Sequence, residues 1–235
     1  MHLLSFPLRR AAVLILAAIC CAVVPASAQT APAPIAPFFQ QPAFGDAVLS
    51  PNGKNLATRV VDKNGHYVLA VIDLESRAAK IVAGYAAEDI RRFQWVNDER
   101  LVYNLFDRTE AQGDVLQAPG LFAVNLDGSR LVQLAERRHY FVKESTLIKK
   151  NILPWHTWMM APGAQDSEFI YVTSTQYKDN GRGKDVDFIN LLRLNTITGT
   201  SEVVPRPGPT RGWLLDHKGQ PRLATTVNGQ TQTIH

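Results

Sequence analysis

The run His66-Tyr67-Val68-Leu69-Ala70-Val71-Ile72 constrains the fold more than any other stretch of this chain. Its β-branched and aromatic residues favour an extended backbone, and in a strand successive side chains point to opposite faces. Tyr67, Leu69 and Val71 therefore share one face, and Val68, Ala70 and Ile72 share the other. Both faces are apolar and both must be covered. No neighbouring segment is long enough to be a crossover helix, so the cover has to come from other sheets.

The surrounding sequence supplies them as repeated units. A turn at Pro51-Asn52-Gly53 precedes a strand over 56–61, Asp62-Lys63-Asn64-Gly65 turns into the 66–72 run, and Asp73-Leu74-Glu75-Ser76 turns into a strand over 79–82. This first unit spans about 44–83. The stretch 92–105 repeats the device of two strands around a polar turn, with Trp95-Val96 before Asn97-Asp98 and Leu101-Val102-Tyr103 after it. It opens a second unit over about 90–134, with strands at 92–95, 101–106, 121–124 and 131–134. Its Leu126-Asp127-Gly128-Ser129 turn matches the one at Asp73, and its 107–120 loop, carrying Gly113 and Pro119, reads as a surface excursion. A third unit, about 147–204, follows an inserted polar segment at 136–145. Its strands are expected at 155–160, 169–175, 188–194 and 202–204, with turns at 163–166 and 196–199 and a charged loop over 177–187. A fourth unit, about 212–235, has strands at 212–215 and 223–226 around Asp216-His217-Lys218-Gly219 and reaches His235 inside its expected third strand, which is expected to leave an unpaired edge after Thr226. Four-stranded units in series predict an all-β chain, an incomplete β-propeller of about three and a half four-stranded blades over 43–235.

Residues 1–28 read as an export signal. Arg9-Arg10 is basic, 11–24 is an apolar run too short for a comfortable membrane span, and Ala26-Ser27-Ala28 is a cleavage site before Gln29. Residues 29–42, with Pro32, Pro34, Pro37 and Pro42, form an Ala/Pro-rich extended leader. The expectation is a periplasmic or secreted protein with no membrane attachment after signal removal. Cys20 and Cys21 are the only cysteines and both lie in the signal. Thiolate catalysis, cysteine zinc sites and iron–sulfur clusters are thereby excluded from the exported part. The net charge of +4 is dispersed along the chain, so no nucleic-acid partner is implied.

The chemical side chains form no recognisable constellation. His66, His139, His156, His217 and His235 lack metal-ligand spacing. The cluster Trp155-His156-Thr157-Trp158-Met159-Met160 reads as core packing on a strand between blades. Arg137-Arg138-His139-Tyr140-Phe141-Val142-Lys143, with Lys149-Lys150, is a basic and aromatic segment that reads as a solvated loop or, alternatively, as a rim contact with a peptide or partner domain. Asp98, Asp107, Asp127, Asp166 and Asp216 fall mostly at turns, where aspartate bonds to its own backbone. The expected catalytic, cofactor-binding and metal residues are therefore none, and no cofactor is implied.

Three stretches carry a family resemblance. Leu49-Ser50-Pro51-Asn52-Gly53-Lys54, the segment from Gln94 through Asn97-Asp98 to Val102, and the segment from Trp213 through Asp216-His217-Lys218-Gly219 to Arg222 resemble the amino-terminal propeller of bacterial exported prolyl oligopeptidase-family (S9) serine peptidases. The resemblance covers about 38–235. It implies a propeller that restricts access to an α/β-hydrolase domain whose Ser-Asp-His triad cleaves peptides, in the manner of prolyl oligopeptidase or of dipeptidyl and acylaminoacyl peptidases. The G-x-S-x-G nucleophile elbow of that domain does not occur in this sequence, so no triad residue transfers to it. The expected function is the non-catalytic, substrate-gating portion of such a peptidase, a fragment ending before the hydrolase domain. The alternative is a periplasmic binding or scaffold propeller resembling TolB, which the Asn125-Leu126-Asp127-Gly128-Ser129 hairpin also fits. Uncovered sheet faces make self-association of the chain a further expectation.

Overall fold

The alternating pattern resolves into fifteen strands and no helix among the described residues. The computed structural model describes residues 42–108, 119–137, 151–160 and 167–235, all within one unit of the chain, 41–235. The signal segment, nearly all of the leader, the loop tip at 109–118, the basic segment beyond Arg137 and the turn at 163–166 lie outside the described residues.

The strands form four antiparallel meanders in chain order. The first sheet holds β1 (Phe44–Leu49), β2 (Asn55–Val61), β3 (Tyr67–Asp73) and β4 (Ala79–Ala83). The second holds β5 (Asp89–Asn97), β6 (Arg100–Phe106), β7 (Leu121–Asn125) and β8 (Val132–Ala135). The third holds β9 (Thr157–Met159), β10 (Phe169–Asp179), β11 (Lys184–Asn195) and β12 (Ser201–Val203), and the fourth holds β13 (Thr210–Leu215), β14 (Pro221–Asn228) and β15 (Thr231–Ile234). Each strand pairs only with its chain neighbours. The third strand of one sheet lies against the first strand of the next, as β3 against β5, β7 against β9 and β11 against β13. Consecutive meanders stacked in this way make an incomplete β-propeller of three four-stranded blades and one three-stranded blade.

Two apolar clusters fill the first two junctions. Leu69 and Val71 of β3 meet Ile90, Phe93 and Trp95 of β5 and Leu101, Tyr103 and Leu105 of β6. Val96 and Val102 of the second sheet meet Ile170, Val172, Leu192 and Leu194 of the third. The second sheet is thus buried on both faces, which explains the near-continuous apolar run along β6.

The turns repeat as well. Asp73, at the end of β3, accepts the backbone N–H groups of Glu75 and Ser76 at 3.0 and 2.7 Å. Asn195, at the end of β11, does the same for Ile197 and Thr198 at 2.8 and 3.0 Å. The turn after Asn195 needs a glycine for two reasons. Gly199 has a φ of 73°, and a Cβ there would stand 2.5 Å from the Asn151 carbonyl oxygen.

Three expectations need correction. The charged loop expected over 177–187 is mostly strand, because β10 and β11 stay paired from Phe169↔Asn195 out to Asp179↔Lys184 and only Asn180–Gly183 turns. The fourth unit does not leave its free edge after Thr226. β15 pairs with β14 through Thr226↔Thr233 and Thr225↔Ile234, so the edge moves out to β15. The cluster 155–160 is a strand only over Thr157–Met159, and Trp158 is 41% exposed rather than packed in the core.

Candidate functional site

The motif residues act at the junctions between sheets. Trp95, on β5, donates its indole N–H to the Val48 carbonyl of β1 at 3.0 Å, and Trp213, on β13, donates to the Ile189 carbonyl of β11 at 2.9 Å. The same side chain reaches back to the preceding sheet in both places. Asp98 accepts the Asn52 backbone N–H at 2.8 Å, so this turn aspartate caps the turn of the preceding sheet rather than its own. Asp127 and Asp216 do bond within their turns, to the N–H of Ser129 at 2.8 Å and to those of Lys218 and Gln220 at 2.9 and 3.0 Å. Those bonds, with Arg222 added, bring the Asp216 carboxyl down to about 2.

A buried ionic cluster closes one end of the first junction. Asp89 is 3% exposed. It accepts the Tyr67 backbone N–H at 2.7 Å, lies 3.2 Å from His66 Nδ1, and is gripped by Arg108 through Nε and through Nη2. His66 thus joins a carboxylate and a guanidinium, an arrangement that positions two sheets and presents no nucleophile. Nearby, the hydroxyls of Tyr85 and Tyr103 bond at 2.9 Å, and burial pushes both phenols above their usual range. Arg137, the described start of the basic segment, pairs with Glu88.

The second junction is polar at one end. Gln94 pairs across the sheet with Val102, and Asn104 alternates onto the same face of β6. Ser174 shares the face of Val172 and pairs with Thr157. All four polar residues are at least nine-tenths buried. Gln94 Nε2 donates to the Met160 carbonyl at 2.8 Å and Asn104 Oδ1 accepts the Arg92 N–H at 3.0 Å. The Gln94 Oε1 and Thr157 Oγ1 atoms have no hydrogen-bond partner among the described residues. Beside them the rings of Trp155 and Tyr177 lie near parallel at 6.5 Å, with His156 edge-on to both at 5.5 and 5.9 Å. Tyr177 arrives there because β10 continues as strand, which the sequence did not announce.

The fourth sheet borders a pocket of about 430 Å³. Trp213, Pro205 and Pro207 supply much of its apolar lining, and Arg206, Arg222 and His235 stand around it. Nothing in the sequence singled it out, since its walls come from a linker, two strands and His235. Of the histidines, His66 lies at the first junction beside Asp89, His156 lies beside Trp155 and Tyr177, His235 is exposed and bonds within the fourth sheet to Thr226, His217 is exposed on a turn, and His2 and His139 lie outside the described residues. Among the described residues no three of His, Cys, Asp and Glu gather as metal ligands.

No family model matches the chain, and no curated protein matches it. Solved structures similar to it include TolB from Acinetobacter baumannii, at 11% identity over 81% of this chain and 40% of that one, with a TM-score of 0.42. An acylaminoacyl peptidase in complex with Z-Gly-Gly-Phe-chloromethyl ketone is similar at 16% identity over 79% of this chain and 28% of that one, TM-score 0.46. The acylaminoacyl peptidase of Pyrococcus horikoshii is similar at 14% identity over 83% of this chain and 30% of that one, TM-score 0.47. The chain spans well under half the length of each.

Proposed function

We propose that this chain is the non-catalytic propeller of an exported S9-type serine peptidase, screening peptides before they reach an α/β-hydrolase domain. The observation that supports this most is the work done by the family-like motifs. Asp98, Trp95 and Trp213 each tie one sheet to the one before it, so the residues that carry the resemblance are those that hold successive blades in line. A rigid stack of blades suits a sieve better than a catalyst. In this reading the hydrolysis belongs to a triad that no residue of this sequence supplies.

Three experiments test it. The full chain is incubated with a serine-reactive fluorophosphonate and chromogenic peptides, and neither labelling nor turnover is expected; stoichiometric labelling of one serine together with turnover sinks the non-catalytic reading. Reading the DNA beyond the His235 codon tests the parent enzyme. A hydrolase-like frame with G-x-S-x-G is expected, and several hundred bases without one favour the TolB-like scaffold. That second reading is supported by the ordered hairpin at Asn125, where Ser129 is held by both Asn125 and Asp127. Export belongs to the same proposal. Protein recovered from the periplasm should have an intact mass beginning at Gln29, and full-length chain in the cytoplasm contradicts it.

A further inference from the structure

The pocket beside the fourth sheet combines an apolar floor with unspent cationic donors. The Trp213 indole N–H is already committed to the Ile189 carbonyl, so the ring offers the pocket only its apolar surface. Pro205 and Pro207 extend that surface. The polar side chains are all basic, and each is fixed by contacts that leave donors over. Arg206 lies 3.6 Å over the Phe188 ring and donates Nη1 to the Gly208 carbonyl at 2.6 Å. Arg222 donates Nε to Asp216 Oδ2 at 2.7 Å. His235 Nε2 meets the Thr226 hydroxyl at 2.9 Å. Neither Nη atom of Arg222, nor the second Nη of Arg206, has an acceptor among the described residues. No acidic side chain is among the lining residues, and the His235 backbone oxygen accepts the Ala224 N–H at 3.1 Å.

We propose that this pocket binds an apolar carboxylate, its hydrocarbon body against Trp213 and the prolines and its two oxygens against the guanidinium groups of Arg222 and Arg206. A guanidinium fork matches a carboxylate in geometry, and such charge-assisted bonds are about twice as strong as neutral ones. The volume is that of a small-ligand site, of the order of 300–1,000 Å³. The anchoring contacts matter because they fix the cations before the ligand arrives, which lowers the ordering cost of binding. This site stands whether the parent protein is a peptidase or a scaffold. The ligand chemistry is shared by the carboxyl terminus of a peptide ending in an apolar residue and by a free apolar acid.

The test uses the full chain and its tryptophan emission. Titration with N-acetylphenylalanine should give a saturable change that is lost in Trp213→Phe, while N-acetylphenylalaninamide, which lacks the charge, should bind about tenfold more weakly or worse. Arg222→Gln and Arg206→Gln should each weaken the acid and leave the amide where it was. Octanoate binding as tightly as N-acetylphenylalanine supports the site with free acids as its ligands, and weaker binding supports it with peptide termini. Equal affinity for acid and amide, a response that survives in Trp213→Phe, or no response overturns the proposal. The comparison of acid with amide on the unaltered chain decides even where an arginine variant fails to fold.

Discussion

Arg100 donates Nη2 to the Thr196 carbonyl at 2.7 Å and Nε to the Thr196 hydroxyl at 3.1 Å, joining the first residue of β6 to the turn that follows β11. Its Nη1 also reaches Asn125 Oδ1, so one guanidinium holds turns from two sheets. Burial pulls its pKa down from the usual arginine value, the repulsion of Arg130 adds to this, and Glu168 opposes it. Removing it leaves the buried Thr196 carbonyl and the half-buried Asn125 oxygen without this donor. Arg100→Met should therefore cost about 3 kcal/mol or more in urea unfolding. Arg100→Lys should recover little, because an ammonium cannot span the same acceptors. Full stability in the lysine variant contradicts the clamp.

The two tryptophans that reach backwards should behave alike. Trp95→Phe and Trp213→Phe each remove one indole donor to a backbone carbonyl, and each should lose about 1–2 kcal/mol. The Trp95 variant should lose more, since that ring sits in the first apolar cluster while Trp213 borders the pocket. Parallel denaturation curves measure both, and a larger loss at Trp213 reverses the ranking.

Thr157 gives a prediction of the opposite sign. Its hydroxyl is buried without a partner among the described residues, at 1% residue exposure. A valine there keeps the shape and removes an unsatisfied polar atom, so Thr157→Val should raise stability by about 1 kcal/mol. A loss of stability would show that the hydroxyl is bonded in solution, to water or to a ligand.

Asp216 predicts an acid dependence. Its folded pKa, brought down by the Gln220 N–H first and by Arg222 and Lys218, lies near 2, below the ordinary 3.8. A depressed carboxylate contributes stability that is fully present above about pH 4 and is lost as pH falls toward 2. Asp62 and Asp73 are lowered in the same direction, first by the N–H groups of His66 and Ser76, and Asp127 is lowered by the Ser129 hydroxyl first and then by the Ser129 N–H. Denaturation midpoints measured across this range should fall less steeply for Asp216→Asn than for the unaltered chain. Identical slopes rule out a contribution from this turn.

Self-association is the last expectation. Leu214 pairs with Leu223, and Thr225, next on that face of β14, pairs with Ile234. The Trp213 side chain points the other way, toward the third sheet, so Leu214, Leu223 and Ile234 share the far face and all three are exposed. The contrast with the second sheet is direct, because Val96, which follows Trp95, is wholly buried by the third sheet while Leu214, which follows Trp213, is 56% exposed. A second copy of this chain covering that face should appear as a dimer or larger species by size-exclusion chromatography with light scattering, and Leu214→Glu with Leu223→Lys should shift it toward monomer. A cooperative monomer from the unaltered chain removes this expectation.

Period and turn chemistry were legible in the sequence by themselves. Strand alternation is a local property, so 66–72 declared two apolar faces and the Asx and glycine turns marked where each strand stops. Those signals sufficed for a series of antiparallel meanders. They failed at 177–187, where β10 and β11 continue through charged residues because backbone pairing, rather than side-chain burial, holds a projecting hairpin together. They also failed for Trp158, whose composition suited a core but whose position on a three-residue strand left it exposed. The tertiary structure alone decided the partners. Trp95 with Val48, Gln94 with Met160 and Arg100 with Thr196 are brought together by the stacking of sheets, and no local spacing encodes a contact between residues that the chain separates by a whole blade.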